Sequence, residues 1–376
     1  MKKKKIIVLG AGMVGKAIAI DLCDKYEVVS VDNNEEKLSF LAQNYNIQTI
    51  RTDFTKPGTV ENLVRNFDLA IGAVPGFMGF ETLKKVIAAG VNVVDISFFP
   101  EDPFLLDELA KSKNVTAVVD CGVAPGMSNL ILGHHSVEMD VKSFSCYVGG
   151  LPVERRLPFQ YKAPFSPIDV IEEYTRPARL VEDGKIVTKP ALSEPELIDF
   201  AKIGTLEAFN TDGLRTLLKT MHIPDMKEKT LRYPGHIEIM RVLRDSGFFA
   251  SEPVMVDGVP VRPIDVTTKL LLPKWKLDPG EKEFTVMRMI IRGDEHGHEK
   301  TFTWDMIDYY DDELKLSSMA RTTGFTCTAV ARLILEHGFQ HQGICLPEFI
   351  GAEENYFKDV LHYLRDRNIV YEMQEN

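Results

Sequence analysis

The chain has 376 residues, of which 44% are hydrophobic and 26% charged, a composition typical of a folded protein with more than one domain. Its 44 basic and 55 acidic residues leave a net charge of −11, which argues against a general nucleic-acid binder because such a protein needs a basic face for the phosphates. The sequence has no apolar run of about 18 residues and no CxxC pair, so neither a membrane-spanning helix nor a disulfide framework is predicted. We expect a cytoplasmic protein.

The first residues combine four lysines with the apolar letters IIVLGAGMVG, as a secretory signal peptide does. Three glycines interrupt the apolar stretch, however, and no small-residue cleavage site follows it. The same letters fit a buried strand at 6–9 and a glycine turn that opens a helix. We therefore predict that the lysines are a solvated lead-in to this strand.

Strand-like runs alternate with helical segments over the first 130 residues. The strand-like runs are KIIVLG, YEVVSVD, IQTIRTD, DLAIGAV, VNVVDIS and VTAVVDC. This alternation is typical of parallel strands joined by right-handed helical crossovers. Six such strands predict an α/β fold with an N-terminal Rossmann domain, a doubly wound parallel sheet, at residues 1–130.

The pattern changes near residue 140, where KSFSCYVGG alternates with period two, as a half-buried antiparallel strand does. Long strands joined by polar turns follow at 284–310, whereas 151–190 is rich in proline and is predicted to be mostly loop. We predict a second α+β domain of mixed, largely antiparallel sheet at 131–315, which binds substrate and mediates dimerisation. Helical periodicity resumes in TTGFTCTAVARLILEHG, so 316–376 is predicted to be a helical return that packs on the first domain.

The two long strands of the second domain, 284–292 and 301–310, alternate apolar and polar residues. Strands of this kind can pair with their copies across a two-fold axis. We therefore expect a homodimer or a larger homo-oligomer.

A complete GxGxxG motif follows the first strand. Gly10 permits the tight turn, Gly12 lets the backbone approach a pyrophosphate at the helix N-terminus, and Gly15 allows close packing of helix on strand. Met13 and Val14 complete the turn. Because the motif follows a strand, opens a helix and precedes a second strand that ends in an acid, it predicts a dinucleotide site.

That acid, Asp32, informs the choice of cofactor. A carboxylate there accepts hydrogen bonds from the ribose hydroxyls and repels a 2′-phosphate, and Asn33 and Asn34 supply no cation to offset it. The sequence therefore favours NAD over NADP, and FAD is a minor alternative. Ligands of open parallel sheets bind beyond the carboxyl ends of the strands. This rule adds the candidates Asp53, Phe54, Ala73, Val74, Pro75, Ser97, Gly122 and Val123.

Six blocks of the sequence, in the same order, resemble the saccharopine dehydrogenase-like family. They are DCGVAPGMSN, YVGGLP, FSPIDVIEEYTRPA, GTLEAFNTDG, TLRYPGH and SMARTTGFT. Within that family the resemblance is closest to the L-lysine 6-dehydrogenase members. It implies a substrate domain after the Rossmann domain and NAD-linked oxidation of the ε-amine of L-lysine to the 6-semialdehyde, with release of ammonia and cyclisation to a piperideine carboxylate.

Two departures bear on the alternative substrate, saccharopine. Members that form saccharopine typically carry Asp where this chain has Ala124, and often Cys where it has Val148. Both departures weaken the saccharopine dehydrogenase alternative, although Arg155, Arg156 and Arg215 could supply cations for its extra carboxylates. A non-catalytic NAD-binding regulator is the alternative from another class of function.

Oxidation of an amine requires a nitrogen lone pair, so the enzyme must bind neutral amine or remove a proton from the ammonium. His236 is the first candidate for that proton acceptor, with Tyr233 as a positioning hydroxyl and Arg232 as a clamp for the α-carboxylate. Further candidates are Asn210, Thr211 and Asp212 for the α-amino group, and Asp95 as a carboxylate near the nicotinamide or as an acceptor for local backbone amides. His296 and His298 lie in one polar turn, but no further ligands accompany them, so no metal is expected.

Overall fold

The computed structural model describes residues 3–163, 167–278 and 280–375. The first two residues of the FSPIDVIEEYTRPA block, 165 and 166, lie outside the described residues. The chain divides into two compact units, the first formed by Met1–Val137 and Ala320–Ile369, the second by Glu138–Met319 and Val370–Asn376.

The first part of the chain alternates strands and helices. These are β1 (Lys5–Leu9), α1 (Met13–Leu22), β2 (Glu27–Asp32), α2 (Glu35–Asn44), β3 (Gln48–Arg51), α3 (Thr59–Val64), β4 (Leu69–Gly72), α4 (Gly76–Ala88), β5 (Val93–Asp95), a 3-10 turn (Pro103–Leu106), α5 (Asp107–Ser112), β6 (Thr116–Val118) and α6 (Met127–Glu138). The strands are rich in Val and Ile, and the last four residues of β1 are fully buried. A parallel sheet covered on both faces requires such continuous apolar strands.

The second unit contains most of the antiparallel strands. Its elements are β7 (Asp140–Pro152), α7 (Pro167–Thr175), β8 (Ala178–Glu182), β9 (Lys185–Lys189), β10 (Glu196–Phe200), β11 (Gly204–Asn210), α8 (Leu217–Thr220), β12 (Asp225–Arg232), α9 (His236–Asp245), β13 (Val254–Val256), β14 (Val259–Val261), α10 (Pro263–Trp275), β15 (Glu283–Glu295) and β16 (His298–Tyr309). The rest of the chain adds α11 (Ser318–Glu336), β17 (Gly343–Cys345), α12 (Pro347–Gly351), α13 (Glu354–Arg365) and β18 (Tyr371–Glu375). Within the described residues, no helix combines the length and hydrophobicity that a membrane span requires.

The sheet of the first unit has the strand order β17-β6-β5-β4-β1-β2-β3, and all its pairs are parallel. The predicted Rossmann fold is confirmed, with the strand order reversing between β1 and β4. The sheet also holds a seventh strand, β17, that the sequence did not predict. Three residues carry no readable periodicity, and β17 joins the sheet from a distant part of the chain by pairing with β6.

The sheet of the second unit runs β10-β11-β12-β7-β15-β16-β18, with β8 and β9 attached beside β12. The strand predicted from KSFSCYVGG is correct in position, but β7 is antiparallel only to β15 and is parallel to β12. The prediction of a loop over 151–190 is wrong, because α7, β8 and β9 lie in that range. The described prolines of this range lie at the ends of the elements or between them.

The two long strands that were expected to pair between subunits are internal. β15 pairs with β7 and β16, and β16 pairs on its other side with β18. β15 is thus paired on both sides, and β18 covers Phe302–Met306 of β16, so the middle of these strands is not an open edge for a second copy. The last strand also corrects the predicted return of 316–376, because β18 belongs to the second unit while 320–369 belongs to the first.

Two apolar clusters lie on the two faces of the second sheet. One contains Phe209, Tyr174 and Trp275 and lies under α7, α9 and α10, and the other contains Ala208 and Leu231. Neighbouring residues of β11 belong to different clusters because side chains alternate along a strand. The same alternation along β12 places successive side chains of that strand on opposite faces of the sheet.

Candidate active site

The glycine turn after β1 is held by close backbone contacts. Gly10 has a φ of 113°, and a Cβ there would lie 2.3 Å from the carbonyl oxygen of Ala73. A Cβ on Gly15 would lie 2.1 Å from the carbonyl oxygen of Gly10. Both positions therefore require glycine on steric grounds, and they bring the loop after β1 against the loop after β4 at the point where the strand order reverses.

Gly12 is constrained differently. It precedes α1 at the N-cap position, and apart from its two chain neighbours no atom of the described residues lies within 4 Å of the position that its Cβ would take. No side-chain hydrogen bond caps this helix, so the first backbone N–H groups of α1 next to Met13 and Val14 stay available. The arrangement fits a pyrophosphate, which needs close backbone approach and N–H donors.

The Asp32 carboxylate is oriented toward the glycine turn by two backbone donors. Its Oδ2 accepts a hydrogen bond from the Ala11 N–H at 2.7 Å, and its Oδ1 accepts one from the Asn34 N–H at 2.9 Å. A carboxylate held in this place has remaining lone pairs for ribose hydroxyls. Asn33 is exposed in the same loop, so this part of the predicted site is brought together by the fold.

The structure adds Arg51, which the sequence analysis missed. Arg51 ends β3 and is paired in register with Asp32 on β2. Its Nε donates to the carbonyl oxygen of Asn33 at 3.2 Å. The charged end of the run IQTIRTD was the available signal, but only the strand pairing shows that this cation lies beside Asp32.

Other predicted cofactor residues have structural roles. The side chains of Phe54 and Val74 are 7% exposed and belong to the apolar core, so they are corrected to core residues. Asp53 accepts hydrogen bonds from the backbone and hydroxyl of Thr55, which hold its pKa below the ordinary value. Pro75 is the N-cap residue of α4.

Asp95 was predicted either to lie near the nicotinamide or to accept hydrogen bonds from local backbone amides, and the structure shows such a backbone hydrogen bond. It is completely buried, and its Oδ1 accepts a hydrogen bond from the Ser97 N–H at 2.7 Å. A Cβ on Gly72 would lie 1.7 Å from its Oδ2. We correct the catalytic prediction for Asp95, because its carboxyl group supports local backbone and is closed to solvent. Ser97 is 3% exposed.

The loop that contains Gly122 and Val123 is fixed by residues that the sequence analysis did not select. The Gly126 N–H donates to Oδ1 of Asn129 at 3.3 Å, and Nδ2 of Asn129 donates to Oε2 of Glu348 at 3.1 Å. Glu348 is 1% exposed and comes from α12. The loop shape therefore depends on a buried contact with a distant helix.

The predicted substrate cluster TLRYPGH is divided by the alternation of β12. Arg232 is 1% exposed; its guanidinium forms an ion pair with Glu173 and lies over the ring of Tyr161, with 4.3 Å between the guanidinium carbon and the ring centroid. It also donates to the hydroxyl of Tyr174 at 3.3 Å. We correct the predicted carboxylate clamp, because this guanidinium is enclosed and its charge is already balanced.

His236 lies in the same buried network. Its Nε2 is 2.9 Å from the Tyr174 hydroxyl and its Nδ1 is 2.8 Å from the carbonyl oxygen of Phe159. Burial, and secondly the charge of Arg232, lowers the pKa of His236 to about 3. The prediction that this residue titrates near neutrality is therefore wrong, and it does not serve as an exposed proton acceptor.

Tyr233 and the turn formed by Asn210, Thr211 and Asp212 also make hydrogen bonds within the protein. The Tyr233 hydroxyl donates to the carbonyl oxygen of Pro152 at 2.9 Å, and Tyr233 belongs to a different apolar cluster from Tyr174, the partner of His236. Asn210 donates to Glu194 at 2.9 Å, and the Thr211 hydroxyl is 3.0 Å from that of Thr230. Asp212 accepts two side-chain hydrogen bonds from Arg179, at 2.8 and 2.9 Å. These contacts correct the predicted roles of Tyr233, Asn210, Thr211 and Asp212 from direct substrate contact to support of the sheet.

Both units match descriptions of one protein family. Residues 6–118 match the saccharopine dehydrogenase NADP binding domain, and residues 122–369 match the saccharopine dehydrogenase C-terminal domain.

In relatives of known name, about a quarter of the aligned residues are identical to those of this chain. Bovine (Bos taurus) mitochondrial alpha-aminoadipic semialdehyde synthase is 22% identical over 99% of this chain and 48% of the relative. The saccharopine dehydrogenase [NADP(+), L-glutamate-forming] of Pyricularia oryzae is 26% identical over 69% of this chain and 62% of the relative. The chain thus spans about half the length of the bovine protein.

A solved structure has the same fold. The apo saccharopine dehydrogenase (L-Glu forming) from Saccharomyces cerevisiae superposes with a TM-score of 0.81, at 18% sequence identity, over 99% of this chain and 100% of the other.

Proposed function

The chain belongs to the saccharopine dehydrogenase family, and from this premise we propose that it is a nicotinamide-dependent oxidoreductase that acts on the C–N bond of a lysine-derived amine. The observation that carries the proposal is the open side of Gly12 beside the oriented carboxylate of Asp32. A side chain at Gly12 would occupy the space that a bound pyrophosphate requires at the N-terminus of α1, and the Asp32 carboxylate lies where the ribose would follow.

Different residues of the first unit bind different parts of the dinucleotide. The backbone at Gly12 and Met13 contacts the pyrophosphate, and Asp32 accepts hydrogen bonds from the adenosine ribose. The loops at Ala73, Pro75, Ser97 and Gly122 follow the carboxyl ends of successive strands and line the path toward the nicotinamide. When bound, the nicotinamide supplies the acceptor for a hydride.

Saccharopine is the first candidate substrate. In it, the ε-nitrogen of lysine is joined to the α-carbon of a glutaric acid. Removal of hydride from the ε-carbon gives an iminium ion, and addition of water releases glutamate and the 6-semialdehyde, with one proton. The names of the relatives, a semialdehyde synthase and an L-glutamate-forming dehydrogenase, support this reaction.

Free L-lysine is the second candidate, and it is oxidised at the same carbon. The two substrates differ in what the nitrogen carries, which is hydrogen in lysine and a dicarboxylic acid in saccharopine. Binding the dicarboxylic acid requires additional cations. Ala124 and Val148 replace residues that the saccharopine-forming members typically carry, and the charge of Arg232 is balanced by Glu173. These observations support lysine.

A test compares the two substrates with each cofactor. Purified protein is incubated with saccharopine or L-lysine and with NAD or NADP from pH 7 to 10, and the reduced cofactor is followed by absorbance. Glutamate among the products identifies saccharopine as the substrate, whereas ammonia identifies lysine. The rate with lysine should rise toward alkaline pH, because the unperturbed ε-ammonium has a pKa of about 10.4.

The Gly12→Ala variant is the control for background reduction. Binding of dinucleotide without turnover of either amine would contradict the enzymatic proposal and favour a non-catalytic dinucleotide-binding protein.

A further inference from the structure

A short hairpin of the second unit forms a sheet of its own. In the described part of the chain, β13 and β14 pair only with each other. Both residues of the turn between them, Asp257-Gly258, have positive φ, at 48° and 82°, as the tight turn of a two-residue hairpin requires. We call residues 254–261 the arm. Its shape is thus specified by its own sequence.

The arm is apolar and exposed on both of its faces. Met255 lies on one face and is 67% exposed, whereas Val254 and Val256 lie on the other face and are each 50% exposed. Val259, the register partner of Val256, is exposed as well. An isolated two-stranded hairpin is only marginally stable in water, so a hairpin that buries none of these side chains gains stability from a surface that covers it.

The helices at the root of the arm carry further exposed apolar side chains. Val242 lies on α9, Phe248 follows that helix, and Val266 and Leu270 are one turn apart on α10. The hydroxyl of Thr267 donates to the carbonyl oxygen of Phe248 at 2.7 Å, which holds the start of α10 against the segment after α9. Since α10 begins two residues after the arm, these side chains and the arm belong to one region of the unit.

The exposed apolar area of this region is large. Among the described residues, eight of the exposed large apolar side chains lie within 242–270, and each is close to half exposed or more. With about 90 Å² exposed per side chain, they offer roughly 700 Å² of apolar surface. A stable interface buries about 800 Å² on each partner, and a monomer rarely leaves an apolar patch of this size uncovered. The region is therefore large enough to hold two protein molecules together.

The charges around this surface favour a second copy of the chain as the partner. Residues 242–276 carry five basic and four acidic residues, a net charge of +1, although the whole chain carries −11. Two copies can therefore meet here with little of the repulsion between their negative surfaces, and charges of both signs suit the contact of a surface with itself across a two-fold axis. A membrane is a poorer match, because the acidic Asp257 lies at the tip of the arm.

Prolines exclude the addition of a further strand to the arm. The residues that flank the turn form a hydrogen-bonded pair, so the backbone of Pro260, one position further on, faces outward from the hairpin. Pro253, which precedes β13, occupies an outward position on the other side. Because proline has no N–H, neither outer edge of the arm offers a continuous row of donors. A partner therefore contacts the arm through side chains.

We propose that the chain forms a two-fold dimer in which the arm of each copy lies on the exposed apolar side chains of α9 and α10 of the other copy. Each copy then supplies one arm and one receiving surface, and symmetry makes the two contacts equal. This contact differs from the pairing of long strands that the sequence predicted. It does not depend on the dinucleotide site or on turnover of an amine.

Sedimentation equilibrium of the full chain measures the dissociation constant of this dimer. Met255→Lys on the arm and Leu270→Lys on α10 should each raise the constant by about a hundredfold or more, because each places an ammonium group in an apolar contact. Ile186→Lys is the matched control, since Ile186 is an exposed apolar residue of another hairpin, β8–β9, in the same unit. It should leave the constant within about twofold. Circular dichroism should be unchanged in all three variants, because the replaced side chains are more than half exposed.

A mixture of the two variants tests the exchange of arms. In a pair of one Met255→Lys copy and one Leu270→Lys copy, the unaltered arm of the second copy meets the unaltered helix of the first. The mixture should therefore associate at concentrations at which each variant alone is monomeric. Failure of the mixture to associate would overturn the exchange of arms. Dimers that persist in both variants would overturn the proposal, as would a monomeric wild-type chain. A monomeric chain that binds phosphatidylcholine vesicles through the arm would assign this surface to a membrane instead.

Discussion

Two glycines of the turn after β1 have opposite steric surroundings. Gly15 has no room for a methyl group, since its Cβ would lie 2.1 Å from a backbone oxygen, whereas Gly12 has open space. Gly15 is therefore required by the fold, whereas we propose that Gly12 is required by the bound dinucleotide. The GxGxxG pattern alone does not distinguish these roles, but the contacts of each position do.

We predict that Gly12→Ala retains the stability of the wild-type chain and weakens dinucleotide binding by about a hundredfold, because the added methyl group occupies the space of the pyrophosphate. Gly15→Ala should lower the free energy of unfolding by about 2 kcal/mol or more, because backbone must move. Urea denaturation and NADH titration of both variants check this. Equal loss of stability in the two variants would contradict the assignment of Gly12 to the ligand.

At the scale of elements, α7, α9 and β12 are joined by one buried polar network. Tyr174 comes from α7, Arg232 from β12 and His236 from the first turn of α9. The network is enclosed by aromatic rings, including Trp275, whose ring centroid lies 5.8 Å from that of Tyr161. Because the imidazole is buried beside a guanidinium, it stays neutral in the folded protein.

This network predicts a dependence of stability on pH. The pKa of His236 is about 3 in the folded state against an ordinary value of 6.5, so the unfolded chain binds a proton that the folded chain does not. The stabilisation is complete above pH 6.5 and is lost as the pH falls, by about 1.4 kcal/mol per pH unit down to the folded pKa. Between pH 6.5 and 5 the loss should amount to about 2 kcal/mol.

The measurement is the free energy of unfolding in urea at pH 7, 6 and 5. His236→Gln should remove this part of the slope, and His298→Gln, which replaces an exposed imidazole, should not. A slope that is the same in wild-type and His236→Gln proteins would mean that His236 is accessible to protons in the folded state.

At the scale of the whole molecule, the last residues of the chain belong to a different unit from the helices that precede them. β18 pairs with β16 in the nine-stranded sheet, whereas 320–369 belongs to the dinucleotide-binding unit. The side chain of Tyr371 is 6% exposed, so this strand contributes to the core of its sheet.

We predict that a chain ending after Ile369 loses stability in the second unit but binds NADH within about twofold of the full chain, because the seven-stranded sheet contains none of the deleted residues. Urea denaturation and NADH titration check the two parts of this prediction. Met373→Ala, in the full chain, alters an exposed side chain of the same strand and is the control for a mere surface change. Loss of NADH binding in the shortened chain would contradict the independence of the two units.

The Rossmann fold around the glycine turn was predictable to a large extent because its first elements are close in sequence, and the dinucleotide site there stays a prediction. Strand, glycine turn, helix and acid lie within the first 32 residues, and local steric rules connect them to one function. The family was likewise predictable, and is confirmed, because six blocks appear in a fixed order. The preference for NAD was predicted from Asp32 alone. The prediction did not include Arg51, because only the pairing of β2 with β3 places Arg51 beside Asp32.

The substrate residues were less predictable because sequence proximity does not decide which way a side chain points. Arg232, Tyr233 and His236 are neighbours in the chain, yet Arg232, the last residue of β12, and Tyr233, which follows it, lie on opposite faces of the sheet. The sequence by itself determined the Rossmann fold, the glycine turn and the family, since these follow from local periodicity and short-range sterics. Only the tertiary structure decided which polar groups are buried, which charges are balanced and which cation stands beside Asp32, because those properties arise from contacts between distant segments.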